Sequence, residues 1–379
     1  MSHGKMSKRE FFFGDNLRIA RLMSGISLND LGEKVGTTRQ YIHQLETTDK
    51  TPSQDLIRAL AFELNVEEDF FSLSLGNLVK EEECHFRRQK STLVSSRREC
   101  TAWATLLYKL TEALEKYLEL PKVNFPQREA KNFFDVEKAA MECRQYWGLG
   151  NGPITNMVRV VENAGAVVSS FGDVSEKVDA LSLHRGRPII LINPQKSAPR
   201  IRMDIAHEAA HIVLHDGVET GDRETEGQAD YFASHFLLPN QALIQGYKSR
   251  SRTRIDWQAI ISLKLKWGIS IRAIIYRLNQ AEIISPSQYR TANIHLSKNG
   301  WTKSEEYDNE IATESPELLP TGISILGSSY GKNFGGLLTE LKISKEFLSK
   351  LTQSEKIIQE IFKNDSLPDN ITNIAAYRK

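Results

Sequence analysis

Two histidines four positions apart, with a glutamate beside the first, stand at His207-Glu208-Ala209-Ala210-His211 in this chain of 379 residues. On an α-helix, positions i and i+4 share a face, so His207 and His211 can offer two imidazole nitrogens to one Zn²⁺ while Glu208 lies beside the metal. A zinc held by three protein ligands keeps a fourth position for water and lowers that water's pKa to about 7, and a neighbouring carboxylate accepts its proton. Glu208 is the candidate general base. Ala209, Ala210, Ile212, Val213 and Leu214 make the segment apolar on most sides. A solvated helix face would be the bland reading, but buried His and Glu side chains are costly unless something satisfies them, and a metal does so.

The third ligand must come from another segment. Fifteen residues after His211, Glu226 opens a run in which Ala229, Phe232, Ala233, Phe236 and Leu237 recur at helical spacing before Pro239. Gly217 and Gly221 allow the two helices to turn back on each other, which brings Glu226 to the metal with Glu224 and Asp230 as competitors. Asp230, one turn further on, could also orient His207 or His211 from behind. His215 shares roughly the face of His211, but beside Asp216-Gly217 it reads as a helix-end residue interacting with the last carbonyls.

The elements that must position these residues are a helix over 200–215, a helix from 226 to the proline, and two β-rich segments upstream, Ala166-Val167-Val168 and residues 188–193. Residues 188–193, the segment Arg202 through His215, and Glu226-x-x-Ala229-x-x-Phe232-Ala233-x-x-x-Leu237-Leu238-Pro239 together resemble the ImmA/IrrE metallopeptidase domain. The resemblance covers roughly 130–290 and implies one zinc per chain held by His207, His211 and Glu226, with Glu208 acting on the water. Two departures stand out. Ala209-Ala210 replaces the commoner bulky-Gly pair, and Gly227 sits in the first turn of the Glu226 helix, where it could loosen that side chain.

A second set of residues sits near the start. Leu17 to Arg21 opens a first helix; Ser27, with Asp30 three residues on, caps a second; Gly36 supplies a turn; Thr38 caps a third, residues 39–46, followed by a helix over 56–64. Ile42 and Leu45 face inward and leave Arg39, Gln40, His43 and Gln44 outward. The pattern resembles the lambda-repressor-like (Xre-type) helix-turn-helix. Arg39 and Gln40 suit guanine and adenine edges, and Asn29 and Thr38 could hold phosphates of a double-stranded operator. Residues 5–63 carry nine basic and eight acidic side chains, a weak electrostatic footprint for DNA, so the motif spacing carries this reading against a protein-binding bundle. Arg87, Arg88, Lys90, Arg97 and Arg98 could add phosphate contacts, and the basic run over 248–277 reads as a solvated face. The resemblance also implies a homodimer.

Composition bounds the rest. With 49 Lys+Arg against 48 Asp+Glu, neither a polybasic tail protein nor an acidic disordered chain fits. No apolar run approaches the roughly 18 residues needed to cross a bilayer, and no secretion signal is recognisable, so a cytoplasmic protein without membrane contact is expected. Three cysteines with no CxxC pair fit reduced packing thiols. The expected fold is α+β and predominantly helical. It divides into an all-α helix-turn-helix bundle (11–72), a charged linker (73–100), a zincin-like metallopeptidase domain led by a helical hairpin (101–285), and a C-terminal mixed α/β region (286–379) that could serve regulation. The expected function is a DNA-binding regulator fused to a zinc endopeptidase that cuts a repressor-like partner or itself, in stress or mobile-element control. The alternative is a non-proteolytic repressor whose zinc domain senses a ligand or metal.

Overall fold

Helix-capping residues set the first elements. In the computed structural model, which describes residues 11–86, 94–171, 179–218, 220–248, 254–302, 304–328 and 332–365, α1 (Gly14–Met23) is followed by α2 (Leu28–Lys34), α3 (Arg39–Thr47) and α4 (Gln54–Leu64). Ser27, Thr38 and Ser53 each accept a hydrogen bond from the amide three residues on, satisfying a donor that a helix start would otherwise leave orphaned. Leu17, Leu31, Ile42, Leu45, Leu60 and Leu64 fill the centre of the bundle. A buried ion pair, Arg21 Nε to Glu46 Oε1 at 2.6 Å, ties α1 to α3.

The chain then lays down a three-residue strand, β1 (Cys84–Phe86), and α5 (Val94–Leu114). After them come α6 (Phe133–Tyr146), α7 (Met157–Asn163), β2 (Val167–Ser170), β3 (Ala180–Arg185), β4 (Arg187–Ile192), α8 (Ala198–Leu214) and α9 (Arg223–Leu237). The remaining helices are α10 (Asn240–Gly246), α11 (Trp257–Trp267), α12 (Ile271–Gln280), α13 (Pro286–Lys298), α14 (Leu318–Ser328), α15 (Lys332–Leu341), α16 (Lys345–Thr352) and α17 (Glu355–Asp365). Among the described residues no helix is long and apolar enough to cross a membrane, and Cys84, Cys100 and Cys143 are buried and unbridged.

These elements form two units. One takes Met1–Val79, Arg97–Glu119 and Leu318–Lys379; the other takes Lys80–Ser96 and Leu120–Glu317. The division differs from the sequence expectation in three ways. The charged stretch over 73–100 is more than a linker, because it supplies β1 and the start of α5. α5 and α6 form no hairpin: α5 belongs to the helix-turn-helix unit, whereas α6 packs on α9. Residues from 286 on, expected as mixed α/β, carry helices and irregular loops among the described residues and no strand beyond the isolated bridge of Ile343 with Val66. Short amphipathic helices broken by polar turns had hidden their period. The stretch over 286–317 joins the second unit, and the helices after it join the first, where Lys350 Nζ donates to Met23 O at 2.6 Å.

In the second unit, a four-stranded sheet runs in the order β1-β3-β4-β2, with β2 parallel to β4 and the other pairs antiparallel. Gly186, at φ +76°, makes the tight turn between β3 and β4, a backbone conformation that side chains disfavour. The register sets one row across the sheet, Val168, Ile190, Ser182 and His85, on the face toward α8. α8 lies against β3 and β4, α9 against α8, and α6 against α9. Apolar residues over nearly its whole circumference bury α8, as expected of a helix with neighbours on several sides.

One carboxylate fixes α8 to its surroundings. Glu314 Oε2 accepts from the amides of Met157 (2.6 Å) and Val158 (2.9 Å) at the start of α7, while its other oxygen pairs with Arg202 of α8. Arg202 also donates to Ile154 O at 2.7 Å, and both charges are buried. Removing one partner of such a pair leaves an uncompensated buried charge, so Glu314→Ala should destabilise the second unit by about 3–5 kcal/mol. A chemical-denaturation midpoint unchanged from wild type would contradict this.

Candidate functional site

α8 and α9 meet over the two histidines. Asp222 caps α9 by accepting from the amides of Glu224 (2.6 Å) and Thr225 (3.0 Å), and Gly217 and Gly221 take the positive φ angles of the connecting turn. This start places Glu226 in the first turn of α9, facing α8. His207 Nε2 and His211 Nε2 lie 3.1 Å apart. Glu226 Oε2 is 3.5 Å from the first and Oε1 is 3.5 Å from the second. Ligand atoms about 2.0–2.2 Å from a tetrahedral zinc stand roughly 3.3 Å from one another, so the three spacings fit one ion. His207, His211 and Glu226 also form the one cluster of three such ligands found among the described residues.

Hydrogen bonds behind the rings decide where their protons sit. Asp230 Oδ1 is 2.9 Å from His207 Nδ1, and a carboxylate only accepts, so that nitrogen carries the proton and Nε2 presents a lone pair. On the other ring a chain of three groups does the same work. Gln228 Oε1 accepts from His215 Nε2 at 2.9 Å; His215 Nδ1 must then accept from His211 Nδ1, also at 2.9 Å, which leaves His211 Nε2 unprotonated. Burial holds His211 neutral, drawing its pKa down to about 3, and lowers His215 as well. Two lone pairs thus face each other beside a carboxylate. Glu226 Oε1 is buried with no hydrogen-bond partner. Burial works to raise Glu226, and positive charge placed between it and the two imidazoles, a proton or a metal ion, draws its carboxyl well below the usual carboxylate range. A cation among these atoms resolves the repulsion and satisfies the orphaned oxygen, so the residues fit a bound zinc.

Glu208 sits one residue around α8 and is almost wholly buried. Burial pushes its carboxyl up to about 7, with His207 and the Ser182 hydroxyl pulling the other way. Ser182 Oγ donates to Glu208 Oε2 at 2.5 Å. From the sheet side the ring of His85 lies nearly parallel to that of His211, with centroids 5.0 Å apart.

Sequence reasoning missed His85, Ser182 and Gln228 and read His215 as a helix-end group. The i+4 spacing from His211 was the available signal for His215; no spacing in the chain points to the others. Of the competing ligands, Asp230 backs His207 and Glu224 is an exposed first-turn residue of α9. In the basic run, Lys264 is fully buried against Glu305 (2.9 Å) and Asp308 (2.5 Å), and buried Arg277 donates to the Ser234 and Leu238 carbonyls. Those two are structural cations rather than a solvated face.

In the helix-turn-helix unit, Arg39, Gln40 and His43 are exposed along α3, and Gln44 is half-buried with its Oε1 accepting from Lys50 at 3.3 Å. Thr38 caps α3 and Asn29 donates to Glu33 Oε1 at 2.7 Å, both on the surface. Arg98 is exposed near the start of α5, where Arg97 is half-buried; Arg87, Arg88 and Lys90 lie outside the described residues.

Comparison with known families matches residues 161–279 to the IrrE N-terminal-like domain of peptidase family M78, and residues 17–71 to a helix-turn-helix family. No curated protein matches the chain.

The electrostatics of Glu208 carry a measurable sign. Its folded pKa of about 7 lies above the ordinary 4.5, so the stability tied to its protonated form is fully present below pH 4.5 and is lost as the pH rises through 7. In a chelator, wild type should lose about 2 kcal/mol relative to Glu208→Gln between about pH 5 and about pH 8. A stability difference that does not change with pH would place this carboxyl in water.

Proposed function

We propose that this chain, which joins an N-terminal helix-turn-helix domain to an IrrE N-terminal-like domain, is a DNA-binding transcriptional regulator carrying a zinc-dependent endopeptidase. The observation that carries the reading is the closed set of three ligand atoms from His207, His211 and Glu226 with Glu208 beside it. Zinc bound there would supply Lewis acidity toward a water and a peptide carbonyl.

The chain's own residues do the remainder. Asp230 and the His215–Gln228 pair hold both imidazoles in the tautomer that leaves Nε2 open. Ser182 occupies Oε2 of Glu208, so the proton removed from the attacking water is taken at Oε1 and handed to the leaving amine. A pKa displaced toward neutrality suits a group that must both take and give a proton, and a cation beside it would draw it back down. The substrate on this reading is a repressor-like protein, or a segment of this chain itself, and the setting is stress or mobile-element control in the cytoplasm. Arg39, Gln40, His43 and Gln44 read base edges, Asn29 and Thr38 hold phosphates, and two copies read two half-sites.

Glu208 contributes nothing to holding a metal in this arrangement, which favours catalysis over a purely sensing zinc domain. Glu208→Gln should keep one zinc per chain and operator binding while cleavage of the partner repressor falls by about 10²–10⁴. Regulation surviving that change intact would favour the sensor.

A further inference from the structure

We infer that residues 80–86 are a built-in occupant of the lane in which a peptide would bind: the chain lays its own strand β1 along β3 and thereby holds the metal centre closed. The inference rests on the peptidase reading above.

Four observations converge on it. First, β3 without β1 would be a sheet edge, and an edge offers unpaired N–H and C=O groups on which an extended peptide adds as a further strand. Second, this edge runs past the chemistry. Ser182, in the middle of β3, donates to Glu208, and β1 pairs so that His85 lies directly across from Ser182. His85 therefore shares the face toward α8, where its ring stacks on His211 and its Nδ1 meets Thr220 Oγ1 at 2.5 Å. Third, the strand is clasped. Arg185 Nε donates to Glu83 Oε1 at 2.8 Å, and a second contact joins Nη2 to Oε2, fixing the residue that precedes β1 to the far end of β3. Fourth, β1 comes from elsewhere in the chain. The family match over 161–279 contains β2, β3 and β4 but not β1, which is carried by a segment leaving the helix-turn-helix unit after Val79 and rejoining it at Arg97.

The occupant is built to be displaced. β1 pairs Cys84, His85 and Phe86 with three residues of the six in β3. An extended protein segment that pairs along more of Ala180–Arg185 makes more ladder hydrogen bonds than β1 does and wins the lane. Such a segment is the class of substrate the closed centre admits. Because the strap is joined to the helix-turn-helix unit at both ends, its release is covalently linked to that unit.

The test uses the full zinc-loaded chain and two variants, His85→Gly, which removes the ring on His211, and Glu83→Ala, which opens the clasp without touching the ligands' surroundings. Two rates are read: extraction of zinc by EDTA, and alkylation of Cys84 by iodoacetamide, scaled to each chain's rate in urea. Both should rise about ten-fold in His85→Gly, from lost stacking and strand propensity, and a few-fold in Glu83→Ala, with zinc content per chain unchanged. Equal rates in all three chains overturn the proposal while leaving the metal centre standing. Should His85→Gly fail to fold, the Glu83→Ala rates decide alone. A wild-type chain that takes up no zinc sinks the peptidase reading instead, and the Cys84 rates still decide whether β1 is a releasable strand.

Discussion

Two imidazole nitrogens held 3.1 Å apart, both without a proton and both facing the half-buried Glu226 carboxylate, repel one another where its buried Oε1 has no hydrogen-bond partner. Much of the second unit serves to maintain that arrangement. α8 is locked by the Arg202–Glu314 pair, α9 starts where Asp222 and two glycines direct it, and the sheet closes the remaining side with Ser182. A fold left to minimise its own energy would protonate or separate those groups; this one spends buried hydrogen bonds on keeping them ready for a cation.

The partners behind the ligands explain how neutrality is kept. Asp230 faces one imidazole and the neutral His215–Gln228 chain faces the other. One imidazole is thus backed by a charge and made the stronger donor to a metal, and the other is oriented without added charge. Glu208 has neither arrangement. Among the described residues it accepts its hydrogen bond from a hydroxyl, and burial dominates its titration. The two carboxylates are thereby pushed in opposite directions, Glu226 toward the ionised form once positive charge lies before it and Glu208 toward the range where protons are exchanged, which is the separation that assigns one to binding and the other to chemistry.

Local periodicity made the helices around the centre legible. The i, i+4 histidines, the apolar run after Glu226 and, in the helix-turn-helix unit, the capping residues Ser27 and Thr38 each state their geometry within one or two turns of chain. What lay outside that range was not legible. β1 is three residues long in a charged stretch, too short to show alternation, and its partner is far away in sequence. β3 does alternate, Leu181 and Leu183 against Ser182 and His184, but its polar face is turned to the site rather than to water, so the usual reading of alternation misleads. Gln228 is an ordinary helix residue until His215 is seen beside it.

X-ray absorption at the zinc edge, on the full chain after loading and desalting, tests the centre most directly. The account predicts about one zinc per chain, an imidazole signature from two rings, and only nitrogen and oxygen neighbours at about 2.0–2.2 Å. A sulfur shell at about 2.3 Å, or no zinc retained at all, would contradict it.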